Sequence, residues 1–191
     1  MKEKRSVQLL VSVAMLSGVA FVMMYFDFPL PMFPDFLKID FSEVPALIGG
    51  ILFGPAAGVM IELIKNVLHY VFKSAATGVP IGQLGNFIAG SLFVVSTVVI
   101  YRKWRTWKAL ILGMLTGTVV MAVGMAFANY FILIPAYAYF LDMGFMNDNK
   151  FALILYAISP FNFFKGLIIA VIAYPLMIKL IPKIKVNSLR A

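Results

Sequence analysis

An asparagine and a lysine interrupt an otherwise apolar stretch, SPFNFFKGLIIAV, at residues 159–171. Asn162 and Lys165 are three positions apart, so on a helix they share one face. Ser159 and Pro160 match an N-cap and first helical residue, which predicts Lys165 about 8 Å into the helix. A lysine snorkelling to the surface would explain the charge, but not the asparagine. The pair predicts an amide and a cation that face a helix bundle and bind a polar ligand.

Further polar side chains are predicted at the same end of the neighbouring helices. Asn129 lies deep in a second apolar run, and Asn86 lies in the glycine-rich start of a third, IGQLGNFIAG. Asp40 and Glu43 end a proline-rich loop on that side. The alternatives are a helix–helix hydrogen bond for Asn129 and solvated acids at a helix start. Together these groups predict an outward-facing pocket for a flat, uncharged ligand with polar edges.

A second polar group lies on one face of a single predicted helix and comprises Glu62, Lys65, Asn66 and His69. It reads either as a structural ion pair or as an acid–base relay within the membrane. A single histidine and glutamate without a nearby nucleophile favour a protein that is not an enzyme. With one histidine and no cysteine in the chain, a site for a soft metal is not expected.

The composition predicts an all-α integral membrane protein with one membrane domain over residues 1–191. Apolar residues make up 62% of the 191, charged residues only 13%, and the mean hydropathy is +0.96. Several charge-free runs are long enough for a helix to cross a bilayer. They lack the alternation of a membrane β-barrel. The first apolar run is too long for a signal peptide, so it is expected to remain as a helix.

Six membrane helices are predicted. The first runs over 7–25 and is followed by a structured extracellular loop over 27–43, which contains three prolines. A short helix then begins at Ser42 as N-cap and breaks at Gly54. The remaining spans are predicted at about 55–72, 81–101, 107–141 with a kink at Pro135, and up to Pro182, with polar loops at 73–80 and 142–150.

The basic residues predict the orientation. Eleven of the sixteen lysines and arginines would lie on the side of both termini, which the positive-inside rule assigns to the cytoplasm. These eleven are Lys2, Lys4, Arg5, Arg102, Lys103, Arg105, Lys108, Lys179, Lys183, Lys185 and Arg190. The net charge of +8 therefore indicates membrane topology rather than nucleic-acid binding.

Ala14 and Gly18 form a small-xxx-small pair in the first span. Such a pair lets another helix approach closely. It is compatible with packing inside the bundle or with a partner subunit.

Three features together resemble the riboflavin-specific S component of energy-coupling factor (ECF) vitamin transporters. They are the aromatic first loop before a short second helix, the segment FSEVPALIGGILFGPAAGVMIELIKN, and SPFNFFKG. The resemblance covers nearly the whole chain. It implies six helices with cytoplasmic termini, no cofactor, and a vitamin pocket made by the first loop and helices four to six.

The resemblance also implies partners and residue roles. S components work with a transmembrane coupling protein and two ABC-type ATPases, and this sequence contains no Walker motif. The family's coupling contact uses small residues on helix one, matched here by Ala14 and by Gly18 in place of an alanine. Asn129, Asn162 and Lys165 match positions that face riboflavin, and Asp40, Glu43 and Asn86 match less closely. The alternatives are an S component for another vitamin or base-like solute, an intramembrane enzyme using Glu62 and His69, and a structural membrane protein.

Overall fold

The structure, a computed structural model, describes residues 2–74 and 78–182 and consists of helices apart from one small hairpin. The first half contains α1 (Lys2–Tyr25), β1 (Phe28–Pro29), β2 (Lys38–Ile39), α2 (Glu43–Phe53), α3 (Pro55–His69) and a π-helical segment (Tyr70–Ser74). The second half contains α4 (Ile81–Trp104), α5 (Trp107–Ala128), a π-helical segment (Asn129–Leu133), α6 (Ile134–Phe140), α7 (Gly144–Asp148), α8 (Lys150–Leu153), a π-helical segment (Ile154–Ile158) and α9 (Ser159–Leu180).

Within residues 2–74 and 78–182, four continuous helical stretches are long and apolar enough to cross a membrane. They are Val7–Tyr25, Ile81–Trp104, Trp107–Phe140 and Lys150–Leu180. Large apolar side chains cover their outer faces, as Phe131 (68% exposed) and Val171 (73% exposed) illustrate. A surface of this kind suits contact with lipid tails rather than water. The chain is therefore a multi-pass membrane protein with an α-helical fold.

The helices pack in sequence order around an apolar core. α4 lies along α5, α5 along α9, and α3 against α1, α2 and α4. Leu47, Phe93, Met121 and Ile169 are fully buried where these helices meet. α2 and α3 turn sharply at Gly54, whose φ of 115° lies in the left-handed region that glycine tolerates.

The loop before α2 is structured, as expected. Phe28 pairs with Ile39 in the antiparallel hairpin of β1 and β2. Phe33 packs edge-on against Phe161 of α9 with ring centroids 5.5 Å apart, and Phe36 contacts Tyr137 of α6 at 6.3 Å. These aromatic contacts fasten the loop across the ends of the second-half helices.

The predicted start of the last helix at Ser159 is wrong, because Pro160 lies inside a continuous helical stretch. α9 does not begin at an N-cap, since Ser159 and the preceding Ile158 are both helical and no side chain caps them. Instead, a π-helical segment precedes each of Pro135 and Pro160. The wider turn of this segment accommodates the proline, which has no backbone N–H to donate. Lys165 thus follows the start of α8 by 15 residues, or about 22 Å, rather than the 8 Å expected.

Two smaller expectations also need correction, and a third is only partly testable. Ser42 precedes α2 but makes no capping hydrogen bond, because its hydroxyl serves the side chains of Asp40 and Lys65. The polar segment 142–150 contains the helix α7 rather than only loop. The orientation prediction depends partly on the side chains of residues 1–6 and on residues 183–191, which lie outside the described residues.

The contact between α4 and α5 generates a stability prediction. A Cβ added at Gly113 would lie 2.8 Å from the backbone oxygen of Thr97, so the helices would have to separate. We expect Gly113→Ala to lower the stability of the detergent-solubilised protein by about 1–3 kcal/mol, measured by thermal unfolding.

Gly18→Ala is the matched control, because a Cβ built there meets no described atom within 4 Å. It should leave the melting temperature unchanged or raise it slightly, since alanine is the better helix former. Equal melting temperatures for the two variants would contradict the close α4–α5 contact.

Candidate functional site

A cavity of about 400 Å³ lies between the first loop and the ends of the helices. Its wall is contributed by the end of α1, the loop, α3 to α6, and α9. Apolar side chains from these elements form much of the lining, among them Met24, Leu37, Ile81, Met125, Leu133, Tyr137 and Phe161. A concave apolar site of this size with a few converging polar groups is the usual form of a small-molecule pocket.

Five of the six predicted ligand-binding residues line this cavity: Asp40, Asn86, Asn129, Asn162 and Lys165. They come from the loop, α4, the π-helical segment after α5, and α9. The structure therefore brings together residues that are up to 125 positions apart in the sequence. Glu43 is fully buried behind the wall and is not among the residues that line the cavity.

The two buried asparagines have the same local arrangement. The amide nitrogen of Asn129 donates to the carbonyl of Met125 at 2.8 Å, and that of Asn162 donates to Ile158 at 2.8 Å. Each bond holds the side chain against its own helix and uses one of the two amide hydrogens. The amide oxygen and the second hydrogen of each asparagine remain as an acceptor and a donor for a ligand.

Lys165 is ion-paired within the wall rather than isolated. Its ammonium lies 2.8 Å from Oε1 of Glu43 and 3.6 Å from Oδ2 of Asp40. These contacts offset the desolvation free energy of placing a cation in an apolar helix, since a buried charge needs compensating partners. The 3.6 Å contact with Asp40 is longer than a hydrogen bond, so Lys165 keeps ammonium hydrogens that can serve the cavity it lines.

Asp40 is the acid that the cavity reaches. Ser42 donates to its Oδ1 through both the backbone N–H, at 2.9 Å, and the hydroxyl, and Asn86 donates to its Oδ2 at 3.1 Å. Burial alone would raise the pKa of Asp40, but the positive charges of Lys165 and Lys65 and the hydrogen bonds from Ser42 outweigh it. The pKa of this carboxyl therefore lies well below its usual range, and the group is ionised at neutral pH.

The polar group predicted on α3 is buried as a unit. Lys65 lies 2.8 Å from Glu62 and donates to Ser42, while Asn66 donates to Asn86 of α4 at 3.3 Å. His69 faces the cavity with Gln83 at 3.2 Å from its Nδ1. The structure thus agrees with the expectation of an ion pair on this helix.

The cavity wall also contains a third set of polar groups. Sequence reasoning did not assign this set to the site. Asp27 is surrounded by Lys38 at 3.6 Å, His69 at 3.7 Å and Lys73, all of which line the cavity. Lys73 also donates to the carbonyl of Tyr25 at 2.7 Å and so ties the end of α3 to α1. Asp27, Lys38 and Lys73 sit in the loop and at a helix end, where a charge is unremarkable, so nothing in the sequence singled them out. His69 was noted only as part of the polar face of α3.

Ala14 and Gly18 lie away from the cavity on the outside of α1. Ala14 is exposed and Gly18 half-buried, while the neighbouring Val13 and Ser17 are buried and face the bundle. The small pair is therefore not used for packing among the described helices. The face is open to a partner or to lipid.

Known proteins are similar to this chain in both sequence and fold. Residues 8–177 match the family model "ECF transporter, substrate-specific component". A protein named riboflavin transporter FmnP, from Bacillus subtilis (strain 168), is 44% identical over 94% of this chain and 95% of its own. A riboflavin transporter RibU from Staphylococcus aureus (strain TCH60) is 37% identical over 85% of each chain.

A solved structure agrees with these matches. It is described as the S component of a bacterial ECF transporter, with a TM-score of 0.80 and 36% sequence identity. The alignment covers 94% of this chain and 99% of the solved chain. The helical arrangement is therefore that of an S component along nearly its whole length.

The relatives are named transporters, which confirms the prediction that the chain is not an enzyme. The enzyme built on Glu62 and His69 is accordingly excluded. The resemblance noted in FSEVPALIGGILFGPAAGVMIELIKN and SPFNFFKG is also confirmed. The chain belongs to the family of substrate-specific components of ECF transporters.

Proposed function

We propose that this protein is the riboflavin-binding subunit of an ECF transporter and captures the vitamin from outside the cell. The observation that carries the proposal is the convergence of Asn129, Asn162, Lys165 and Asp40 on one apolar cavity. The names of the relatives support riboflavin as the transported ligand. Riboflavin is cargo here, and no cofactor is proposed.

The cavity suits the two parts of riboflavin. Its flat isoalloxazine ring would lie between apolar and aromatic side chains such as Leu133, Tyr137 and Phe161. The pyrimidine edge of that ring alternates carbonyl acceptors with an N–H donor. The free oxygen and hydrogen of an asparagine amide complement that pattern.

The charged groups suit the ribityl chain and the ring carbonyls. The ammonium of Lys165 can donate to a carbonyl or hydroxyl oxygen, and Asp40 and Asn86 can exchange hydrogen bonds with hydroxyl groups. Glu43 is fully buried and contacts Lys165, so its role in binding is to hold that lysine rather than to touch the vitamin.

The protein would cross the membrane six times as a single membrane domain. α2 and α3 would supply two crossings although α2 has only 11 residues, because most of α2 is buried among its neighbours. Both termini would lie in the cytoplasm, and the first loop and the cavity would face outward. Uptake would need an energising module of one transmembrane coupling protein and two ABC-type ATPases, which would contact Ala14 and Gly18.

Riboflavin titration tests the binding site. Quenching of flavin fluorescence should show submicromolar binding by the detergent-purified protein. We expect Asn129→Leu to weaken binding ~10- to 100-fold, because the ligand's polar edge would face a buried apolar side chain.

Asn149→Leu is the control for that variant. Asn149 also donates to the carbonyl four residues earlier, at 3.0 Å, but it is exposed and outside the cavity. The Asn149→Leu variant should bind riboflavin with the same affinity as the wild type. Equal affinities for the wild type and Asn129→Leu would contradict the proposed site.

Cysteine labelling tests the six crossings, and the chain has no native cysteine to interfere. In intact cells a membrane-impermeant maleimide should label Pro80→Cys and Asn147→Cys. It should reach Ala56→Cys and Lys103→Cys only after permeabilisation. All four positions are exposed, so a reversed pattern, or labelling of Ala56→Cys from outside, would refute this topology.

The outer face of α1 generates a separate prediction about uptake. Ala14→Trp and Gly18→Trp should abolish riboflavin uptake in cells but leave binding by the purified protein unchanged, because a bulky side chain blocks close helix approach. Val19→Trp is the control, since Val19 is exposed on a different side of α1. Normal uptake by both test variants would exclude this face as the coupling contact.

A further inference from the structure

A closed ring of buried charges lies behind the polar wall of the cavity. Starting from Lys65, it passes to Glu43 at 3.9 Å, from Glu43 to Lys165 at 2.8 Å, and from Lys165 to Asp40 at 3.6 Å. Ser42 completes it by donating to Asp40 and accepting from Lys65. We call these five residues the charge ring.

The charges alternate in sign around the ring. Each carboxylate, Asp40 and Glu43, lies between the two ammonium groups of Lys65 and Lys165. All four charged side chains are at most 3% exposed, so water does not screen them. In such a setting, the position of each charge depends strongly on the others.

Only one side of the ring reaches the cavity. Asp40 and Lys165 line it, whereas Lys65 is fully buried and lies on the far side of the ring, within α3. Glu62 contacts Lys65 at 2.8 Å from outside the ring, and its carboxylate packs against Gly90 of α4. Lys65 therefore cannot touch a ligand in the cavity. It does contact Ser42, which bonds to Asp40, and Glu43, which pairs with Lys165.

The geometry points to Lys65 as a positioning residue for ligand binding, acting through Ser42 and Asp40 on one route and through Glu43 and Lys165 on the other. This inference rests on the proposed function and adds to it a residue outside the cavity. Without Lys65, two buried carboxylates would share Lys165 alone. They would draw its ammonium into the ring, and the hydrogen that faces the cavity would be lost to the ligand.

A plain structural role for Lys65 is the competing explanation. Lys65 could serve only to neutralise Glu62, its neighbour on α3, and a variant would then bind less well simply because a buried carboxylate is left unpaired. The two explanations differ in what happens when Glu62 is made neutral as well. That difference is the basis of the test.

The test compares riboflavin dissociation constants for Lys65→Met in two backgrounds, wild type and Glu62→Gln, using the full-length protein in detergent. Positioning through the ring predicts that Lys65→Met raises the Kd about tenfold or more in both backgrounds. If Glu62→Gln abolishes the effect of Lys65→Met, Lys65 only neutralises Glu62, and the inference is overturned.

A second cycle asks whether the effect passes through the ring. In an Asp40→Asn background one of the two routes is already broken, so Lys65→Met should raise the Kd by a smaller factor than in the wild type. Fully additive effects would show that Lys65 and Asp40 act independently, which contradicts the proposed route.

Folding of Lys65→Met is checked by gel filtration and thermal unfolding. If it does not fold, Ser42→Ala provides an alternative test of the same connection. It removes only the hydroxyl that joins Lys65 to Asp40, and all ring charges remain. Several-fold weaker binding would support the inference, and an unchanged Kd would overturn it. A wild-type protein that does not quench riboflavin fluorescence would refute the proposed function itself, before any variant is compared.

Discussion

Burial of full charges between apolar helices is the constraint on which this structure depends. Asp40, Glu43, Lys65 and Lys165 are almost fully buried, so they must be neutralised mainly by one another. The first three come from the first loop, α2 and α3, and Lys165 comes from α9, far along the chain from the others. Docking α9 against the loop and α2 is therefore tied to completing this set of charges, and the polar wall of the cavity is placed by the same contacts.

The polar wall of the cavity is made possible by irregular helices. Pro135 and Pro160 lie inside long helical stretches, and a π-helical segment precedes each of them. Asn129 begins one of these segments, and Asn162 donates to the last residue of the other. The wider turns keep both helices continuous while they direct amides inward, which agrees with the frequent occurrence of π-helical turns at functional sites.

The cavity and the outer faces of the helices differ in chemistry. The interior presents amides and charges to a ligand, and the outside presents apolar side chains to lipid. The small residues of α1 interrupt that apolar outer surface, away from the cavity. If the proposed function is right, capture of riboflavin and contact with the energising module would therefore use separate surfaces.

The sequence by itself determined the membrane class, the helix positions to within a few residues apart from the start of the last span, the family, and five of the cavity's polar residues. Hydropathy and turn residues indicated the class and the helices, and the resemblance of several segments indicated the family. The cost of Asn129, Asn162 and Lys165 in apolar runs marked three of the polar residues. Only the tertiary structure decided what those polar groups contact. The pairing of Lys165 with Glu43, the place of Lys65 behind the wall, and Asp27 among its cations are long-range contacts. Spacing along one helix cannot show them, because a buried charge is positioned by whichever partners the packing brings within reach.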